Sequence, residues 1–377
     1  MENQKHLFDL SNEIHYFNNA YMSPLLKSGR KAGIEGLFIQ SDPTMITTEN
    51  FFAPGDQLRS LFAHLINTDA EYTAIIPSAS YGLATAISNI PTNIGKEVIV
   101  LEDEFPSAIY AVDRYCAENK KYKTIIPSPK HARRAKQWNA SIIRAIKPNT
   151  AAVVMSAVNW SDGTLYDLEA IGEACLKNKA YFIVDGTQAV GAMDIDVEKL
   201  GIDALICAGY KWLLAPYGTG MAYYSVEYAE GKPLEESWMN RKNAKDFSSL
   251  TQYESEYFTT NAKFNMGEYA NFVSVPIMID GIKQILEWGV DNIQTYCRTI
   301  SAPLLAALRD KGYKVEDDGF KADHLFGFMM PDGGDPTIFA KKLKANNIHI
   351  SVRGSYVRVS PYVHTTKEDV DKFISLL

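Results

Sequence analysis

The chain has 377 residues, of which 46% are hydrophobic and 22% charged, a composition typical of a globular protein with a buried core. The net charge is −7 at pH 7 and no basic stripe stands out, which argues against nucleic acid as a partner. Residues 1–10 lack the apolar region of a secretory signal, and no apolar run could cross a bilayer, so we expect a cytoplasmic protein without membrane association. The four cysteines show neither metal-ligand spacing nor a disulfide pattern.

Short apolar segments alternate with segments of helical spacing over the first 225 residues. Segments of this kind are typical of strands buried on both faces of a largely parallel sheet. The predicted strands are 73–76, 97–101, 123–126, 151–157, 181–185, 204–207 and 221–225. The predicted helices between them are 80–88, 107–118, 136–146 and 168–177. The alternation predicts an α/β fold with helices on both sheet faces; a TIM barrel has the same alternation, but the positions of the motifs below argue against it.

The pattern changes after residue 230. The stretch 231–257 is polar and aromatic with few periodic apolar positions, and we expect it to shape the binding pocket. The remaining predicted elements are helices 270–288, 291–310, 336–345 and 367–377, and strands 325–329, 348–352 and 356–359. This mixture predicts a smaller α+β domain. We therefore assign residues 16–265 to a large domain, and residues 1–15 and 266–377 to a small one.

One predicted strand, 181–185, ends in an acid, Asp185, and then turns through small residues to Gln188. In open α/β sheets, ligands bind outside the carboxyl ends of the strands, so Asp185 should point into a crevice. The alternative is an aspartate that caps the next helix.

The strand 204–207 is followed closely by a lysine, Lys211, among aromatic and glycine residues such as Tyr210 and Gly209. Lysine is normally a solvated surface residue, and that is the alternative here. In a desolvated site its pKa falls, and the neutral amine can form a Schiff base.

The two stretches together resemble those of the class V, cysteine desulfurase-like branch of fold-type I pyridoxal 5′-phosphate (PLP) enzymes, including the spacing between Asp185 and Lys211. The resemblance starts at residues 16–20 and covers nearly the whole chain. It implies PLP as the cofactor, bound as a Schiff base on Lys211, with Asp185 keeping the pyridine nitrogen protonated. It also implies the PLP-dependent transferase fold of type I, with a mostly parallel sheet in the large domain and a small C-terminal α+β domain, in a homodimer with shared active sites.

The resemblance extends to residues that would hold the cofactor phosphate. Ser78, Ala79 and Ser80 match a small-residue turn that opens a helix, where hydroxyl and backbone N–H groups can bind a phosphate. A simple serine N-cap is the alternative for one of the two serines. The family has Ser or Thr three residues before the lysine and His just before it. Here these positions hold Ala208 and Tyr210, so one hydroxyl contact is lost and Tyr210 is expected to supply another.

Three further residues are implied as contacts of the cofactor ring. Phe105 falls where the family places the ring that stacks on the pyridine, in the form that resembles kynureninase; a buried core phenylalanine is the alternative. Asn159 and Gln188 match residues that contact the phenolic oxygen of the cofactor.

Substrate and partner contacts are implied near the two ends of the chain. Arg358 resembles the arginine that binds the substrate carboxylate, and Arg353 is a second candidate; the alternative for both is a surface ion pair. Asn18, in the opening strand, is also implied as a substrate contact. Gly267 and Glu268 match a segment that reaches the cofactor phosphate of the neighbouring subunit.

The expected function is chemistry at Cα of a small amino acid, with Lys211 as general base. We choose aminotransferase first. An epimerase or racemase resembling isopenicillin N epimerase, or a Cβ-lyase resembling kynureninase, remains open because these residues do not determine the step after Cα deprotonation. A catalytically silent binding protein of the same fold is the alternative from another class. Efficient cysteine desulfuration is not expected, because residues 346–357 contain no cysteine.

Overall fold

The structure, a computed structural model, describes residues 1–257 and 261–377. Ten helices lie in these ranges, and all four helices predicted between the first strands are present within two residues of their expected bounds. The helices are α1 (Lys27–Ser41), α2 (Ala53–Leu65), α3 (Ala79–Ser88), α4 (Pro106–Asn119), α5 (Ala135–Ala145), α6 (Leu168–Asn178), α7 (Ser274–Trp288), α8 (Val290–Asp310), α9 (Pro336–Lys344) and α10 (Lys367–Ile374).

The strands in the same part of the chain form three sheets. They are β1 (His15–Tyr16), β2 (Thr73–Ile76), β3 (Glu97–Leu101), β4 (Tyr122–Ile126), β5 (Thr150–Ser156), β6 (Tyr181–Asp185), β7 (Ala204–Ala208), β8 (Gly220–Tyr224), β9 (Lys314–Val315), β10 (Phe326–Met329), β11 (Ile348–His349), β12 (Ser351–Arg353) and β13 (Tyr356–Val359).

The largest sheet has seven strands in the order β2-β8-β7-β6-β5-β3-β4. Strand β8 runs antiparallel to both its neighbours, and the other six strands are parallel to one another. Neighbouring residues of a strand face opposite sides of a sheet, and β6 shows this clearly. Phe182 and Val184 pack in the core with α5 and α6, whereas Ile183 packs in the core with α3 and α4. The predicted α/β fold with helices on both faces is confirmed.

The C-terminal part of the chain carries a separate four-stranded antiparallel sheet in the order β12-β13-β10-β9. Its apolar core includes residues of α8, α9 and α10 together with Phe17 from the N-terminal segment. The segment predicted as one strand, 348–352, is two strands. Strand β11 pairs with β1 in parallel, and β12 pairs with β13, so the chain changes partner at Ile350.

Helices α1 and α2 were not predicted from the sequence. Helix α1 lacks a clear apolar face in its sequence because glycines form the face that packs against the protein. A Cβ atom at Gly36 would lie only 1.8 Å from the Phe272 carbonyl oxygen. Helix α7, which the division at residue 265 assigns to the small domain, packs against α1 and α2, and that division stays a prediction. Within the described residues, no helix combines the length and apolar character needed to cross a bilayer.

Candidate active site

Parallel strands bring the predicted chemical residues to one edge of the large sheet. Strands β5, β6 and β7 end in Ser156, Asp185 and Ala208, and Lys211 follows three residues after β7. Strand β2 points the same way, so the start of α3 lies at this edge as well. The described residues lining the cavity here, called the Lys211 cavity below, are Ala79, Phe105, Ser156, Trp160, Asp185, Thr187, Gln188, Ala208, Tyr210 and Lys211.

Lys211 is buried, so the solvated surface lysine is excluded. Burial lowers its pKa to about 8, and the positive charges of Arg358 and Arg353 act in the same direction, while the carboxylate of Asp185 opposes them. A lowered pKa increases the fraction of neutral amine near neutral pH, and only the neutral amine is a nucleophile or base.

Asp185 is buried, and its Oδ1 accepts a hydrogen bond from the Thr187 backbone N–H at 2.9 Å. Burial raises its pKa, whereas the hydrogen bonds from Thr187 and the charge of Lys211 lower it. The residues after Asp185 form turns and not an α-helix, so the helix-cap alternative does not apply. Its environment suits a carboxylate that pairs with a buried cationic group of a ligand.

The N-terminus of α3 also contributes to the site. The Ser78 Oγ caps the helix by accepting a hydrogen bond from the Tyr81 N–H at 3.2 Å, and it lies 2.9 Å from the Ser80 Oγ. Ala79 lines the Lys211 cavity. A helix N-terminus with unpaired N–H groups favours an anion. The lost hydroxyl at position 208 has a neighbouring substitute, because the Thr187 Oγ1 accepts a hydrogen bond from the Ala208 N–H at 3.0 Å and Thr187 lines the same cavity.

The aromatic wall of the Lys211 cavity consists of Phe105 and Trp160. Their rings meet edge to face, with centroids 5.6 Å apart. Phe105 is 40% exposed, so it is not a core residue of the chain and its ring is available for stacking. The Trp160 Nε1 donates a hydrogen bond to the Asp103 carbonyl at 2.7 Å, which fixes the indole. On the other side, Tyr210 stacks at a tilt on Tyr217, with centroids 4.7 Å apart.

Arg358 is 1% exposed and lies on β13. Its Nη1 donates a hydrogen bond to the Trp160 carbonyl at 2.8 Å, whereas its Nε and Nη2 have no hydrogen-bond partner in the described chain. Burial and the nearby Arg353 lower its pKa. Because Arg358 is buried, the surface ion pair is excluded, and buried guanidinium N–H groups without acceptors are costly. Its expected contact with a substrate carboxylate stays a prediction.

Two of the expected ring contacts are already engaged within the chain. The Asn159 amide is buried between Tyr166, to which it donates at 3.1 Å, and Ser161, from which it accepts, and it does not line the Lys211 cavity. Gln188 lines this cavity, but its Oε1 accepts from the Trp212 indole at 2.9 Å and its Nε2 donates to the Ala20 carbonyl at 3.1 Å. One N–H of Gln188 is therefore left for a ligand.

Besides Asn159, seven expected residues lie outside the described lining of the Lys211 cavity: Ser78, Ser80, Arg353, Arg358, Gly267, Glu268 and Asn18. The Gly267 N–H donates to the Glu235 carboxylate at 2.5 Å, and Glu268 is exposed, so their predicted contact with a neighbouring subunit stays a prediction. The Asn18 Oδ1 accepts from the Ser351 hydroxyl at 2.7 Å and so holds β12 in place. The stretch 231–257 contributes no residue to the described lining.

A family description, Aminotransferase class-V, matches residues 47–373. The chain belongs to this family. Class-V aminotransferases depend on PLP, so the cofactor and the family inferred from the sequence are both confirmed.

Relatives of this class-V protein include transferases and carbon–sulfur enzymes. An uncharacterized aminotransferase of Bacillus subtilis, YcbU, is 25% identical over 316 residues, which cover 83% of this chain and 80% of the relative. A probable cysteine desulfurase of Borreliella burgdorferi is 31% identical over 166 residues, or 41% of this chain and 39% of the relative.

Solved structures share the fold of this class-V protein over nearly its whole length, which confirms the PLP-dependent transferase fold. A C-DES mutant with glycine covalently linked to its PLP cofactor superposes with a TM-score of 0.85 at 18% identity, covering 99% of this chain and 98% of that one. The apo cysteine desulfurase of Thermococcus onnurineus gives a TM-score of 0.83 at 18% identity, covering 100% and 97%.

The residues of this class-V protein fit PLP. Lys211 offers a buried amine for the aldehyde, Asp185 a buried carboxylate for the ring nitrogen, and α3 an N-terminus for the phosphate. Phe105 stands free to stack on the ring. These groups all meet in the Lys211 cavity, which is the fit that the resemblance requires.

Glu104, an acid that contacts two residues of the Lys211 cavity, was not identified from the sequence. It is buried, and its carboxylate accepts from the Ser156 N–H at 2.8 Å, the Ser156 hydroxyl at 2.6 Å and the Phe105 N–H at 3.2 Å. Burial, with a contribution from Asp185, raises its pKa to about 7. Glu104 thus ties the loop that carries Phe105 to β5. An acid directly beside an apolar Phe-Pro pair after a predicted strand was the available signal.

Proposed function

We propose that this class-V enzyme cleaves a bond at Cβ of a small sulfur-containing amino acid by β-elimination, with cystine as the type of substrate. The fold neighbours support carbon–sulfur chemistry: one solved C-DES structure is described as a cystine C–S lyase in complex with its product, cysteine persulfide. The proposal replaces aminotransferase, our first choice from the sequence, with the Cβ-lyase alternative.

The state of the cysteines carries the choice among carbon–sulfur reactions. All four are buried, and burial raises the pKa of each thiol: Cys116, Cys175, Cys207 and Cys297. None of them is among the described residues that line the Lys211 cavity. Desulfuration through an enzyme persulfide needs an accessible thiolate. β-Elimination needs only a base at Cα and a leaving group at Cβ.

The residues of the site have the parts that such an elimination requires. PLP, when bound, supplies an electron sink that acidifies the Cα proton of an amino acid. Arg358 would bind the substrate carboxylate, and the Lys211 amine would remove the Cα proton. Asp185 would hold the proton on the ring nitrogen of the cofactor. The sulfur leaves Cβ with the bonding electrons, so no protein nucleophile takes part.

The second candidate is aminotransfer. It is favoured by the match to the Bacillus subtilis aminotransferase over most of the chain. The same Lys211 would then return the proton to the cofactor instead of allowing loss from Cβ.

The test is incubation of the purified enzyme with L-cystine and no keto acid. Elimination consumes one water and converts L-cystine to cysteine persulfide, pyruvate and ammonium. A Cys116→Ser/Cys297→Ser double variant should keep this activity, because no thiol takes part. A rate that appears only with an added keto acid would show aminotransfer. Release of alanine and sulfide from L-cysteine in the presence of a thiol reductant, lost on mutation of a single cysteine, would show a desulfurase.

We further propose that the active form is a homodimer. Helix α1 leaves Ile34, Leu37 and Phe38 exposed, although the solvent face of a surface helix is normally polar. Tyr217, which stacks on Tyr210 beside the Lys211 cavity, is 75% exposed. A second copy would cover such apolar surface and complete the mouth of the site.

A further inference from the structure

The strands β12 and β13 place two arginines on one face of a hairpin. Ser351 pairs with Arg358 and Arg353 pairs with Tyr356 across the antiparallel ladder. Directly paired residues lie on the same face, and residues two apart on a strand do as well. Arg353 and Arg358 therefore face the same side, and the charges of both act on Lys211.

Trp160 contacts the guanidinium groups of both Arg358 and Arg353. Its carbonyl accepts the hydrogen bond from Arg358, while the Arg353 guanidinium lies over its ring, 5.8 Å from the centroid. Trp160 also lines the Lys211 cavity, so both arginines contact a residue of that cavity.

Arg353 has no acidic partner in the described chain. Its one hydrogen bond there goes from Nη1 to the adjacent Val352 carbonyl at 2.8 Å, and it forms no ion pair with a described carboxylate. The residue is half-buried, which lowers the pKa of its guanidinium. A partly desolvated, stacked guanidinium without a carboxylate partner is suited to bind an external anion.

A second cavity starts at Trp160 and extends away from the Lys211 cavity. Its wall includes Arg353, Lys130, Arg134, Tyr356, Asp103 and Glu104.

The other charged groups of this wall are already satisfied. Arg134 pairs with Asp103 at 3.1 Å, Lys130 pairs with Glu102 at 2.9 Å, and Glu104 accepts from Ser156. Arg353 is thus the cation of the second cavity left for a ligand.

We propose that Arg353 binds a second acidic group of the substrate, on the far side of the bond that is cleaved, while Arg358 binds the α-carboxylate. The preferred substrates are then amino acids with a distal carboxylate, such as the disulfide of two cysteines. This inference rests on the proposed function for the identity of the reaction, but its binding step can be measured without turnover.

The first experiment measures binding to the PLP-loaded enzyme with two ligands that have no leaving group. L,L-2,7-diaminosuberate has the length of cystine, and L-2,7-diaminoheptanoate lacks only the distal carboxylate. Each is titrated while the absorption of bound PLP is followed. The dicarboxylate should bind at least about tenfold more tightly, as expected for a charge-assisted pair. In Arg353→Gln this preference should disappear, so that the two ligands bind with equal affinity.

A matched control removes an equal charge nearby. Arg133 is an exposed arginine paired with Asp317 at 3.0 Å, so Arg133→Gln should keep the preference. An equal affinity of the wild-type enzyme for both ligands would overturn the proposal, as would an Arg353→Gln variant that keeps the preference.

The second experiment separates this inference from the proposed reaction. L-Cystine is compared with the mixed disulfide of cysteine and cysteamine, which has the same leaving sulfur but no distal carboxylate. Arg353→Gln should raise KM for cystine about tenfold more than it raises KM for the mixed disulfide. If both disulfides react equally well in the wild-type enzyme, the inference is wrong and β-elimination stands. If neither reacts but the dicarboxylate still binds preferentially, the proposed reaction is wrong and the second anion site stands.

Discussion

Burial and the charge of Asp185 have opposite effects on the pKa of the Lys211 amine, so the pH dependence of this one residue can be tested. Burial lowers its pKa from 10.5 to about 8, while Asp185 acts to raise it. PLP uptake by the apoenzyme should therefore increase with pH through a midpoint near 8, because only the neutral amine attacks the aldehyde. The rate is followed by PLP absorption.

Two observations control this prediction. In Asp185→Asn the midpoint should move to lower pH, since the charge that favours the ammonium form is gone. Borohydride reduction followed by peptide mapping should place the pyridoxyl label on Lys211, and a label on another lysine would refute the assignment.

Asp185→Asn should retain PLP but lose most activity. An amide does not hold a proton on the ring nitrogen, and loss of one preorganised electrostatic contact typically costs about 3–4 kcal/mol of barrier, or 10²–10³ in kcat. The measurement compares kcat and the PLP dissociation constant in the two proteins. Near-normal kinetics would show that Asp185 only closes the turn through its hydrogen bond with Thr187.

Arg358→Lys should raise KM for the amino acid much more than it changes PLP affinity. Lysine offers a point charge and not the two parallel N–H groups that match a carboxylate. The unpaired Nε and Nη2 of Arg358 are the atoms lost. If KM for a monocarboxylic substrate is unchanged, the role of binding the α-carboxylate would instead be assigned to Arg353.

At the level of elements, the N-terminus of α3 combines a structural and a binding role. Ser78→Ala removes a cap worth about 1 kcal/mol and also a hydroxyl beside the Lys211 cavity. We expect a loss of about 1 kcal/mol in the free energy of unfolding and weaker PLP binding. Thr366→Ala is the control, because Thr366 caps α10 with the same 3.2 Å hydrogen bond. It should lower stability and leave PLP affinity intact, whereas equal PLP affinity in both variants would limit Ser78 to capping.

Secondary-structure prediction succeeds where burial on both faces leaves a continuous apolar run, and it fails where a strand's partner is distant in sequence. The central strands are apolar on both faces, so β6 and β7, and with them Asp185 and Lys211, are readable directly. The segment 348–352 alternates apolar and polar residues, which also predicts a strand, but its division depends on pairing with β1, more than 300 residues away. Likewise, Trp160 joins the site because its carbonyl meets Arg358 across the fold, which no local pattern encodes.

At the level of the whole molecule, family and cofactor were predictable while the reaction was not. The roles proposed for Asp185 and Lys211 are common to every reaction that begins at Cα, so their presence leaves the reaction undetermined. The choice of reaction depends on which side chains are exposed, and exposure is a property of the tertiary structure. Cys207, for example, lies four residues before Lys211 in sequence, yet its thiol is buried on β7. The lack of a carboxylate partner for Arg353 among the described residues is a tertiary property of the same kind.

The proposed homodimer makes the last prediction. Phe38 is 70% exposed on α1, and the opposite face of that helix is held against α7 through Gly29 and Gly33. A charge at this position would be buried without a partner if a second copy covers the helix. Phe38→Glu should therefore shift the protein to a monomer in analytical ultracentrifugation. Ile338→Glu is the control, because Ile338 is 67% exposed on α9 and should leave the dimer intact. A wild-type protein that sediments as a monomer at micromolar concentration, or a Phe38→Glu variant that remains dimeric, would show that α1 is not the interface.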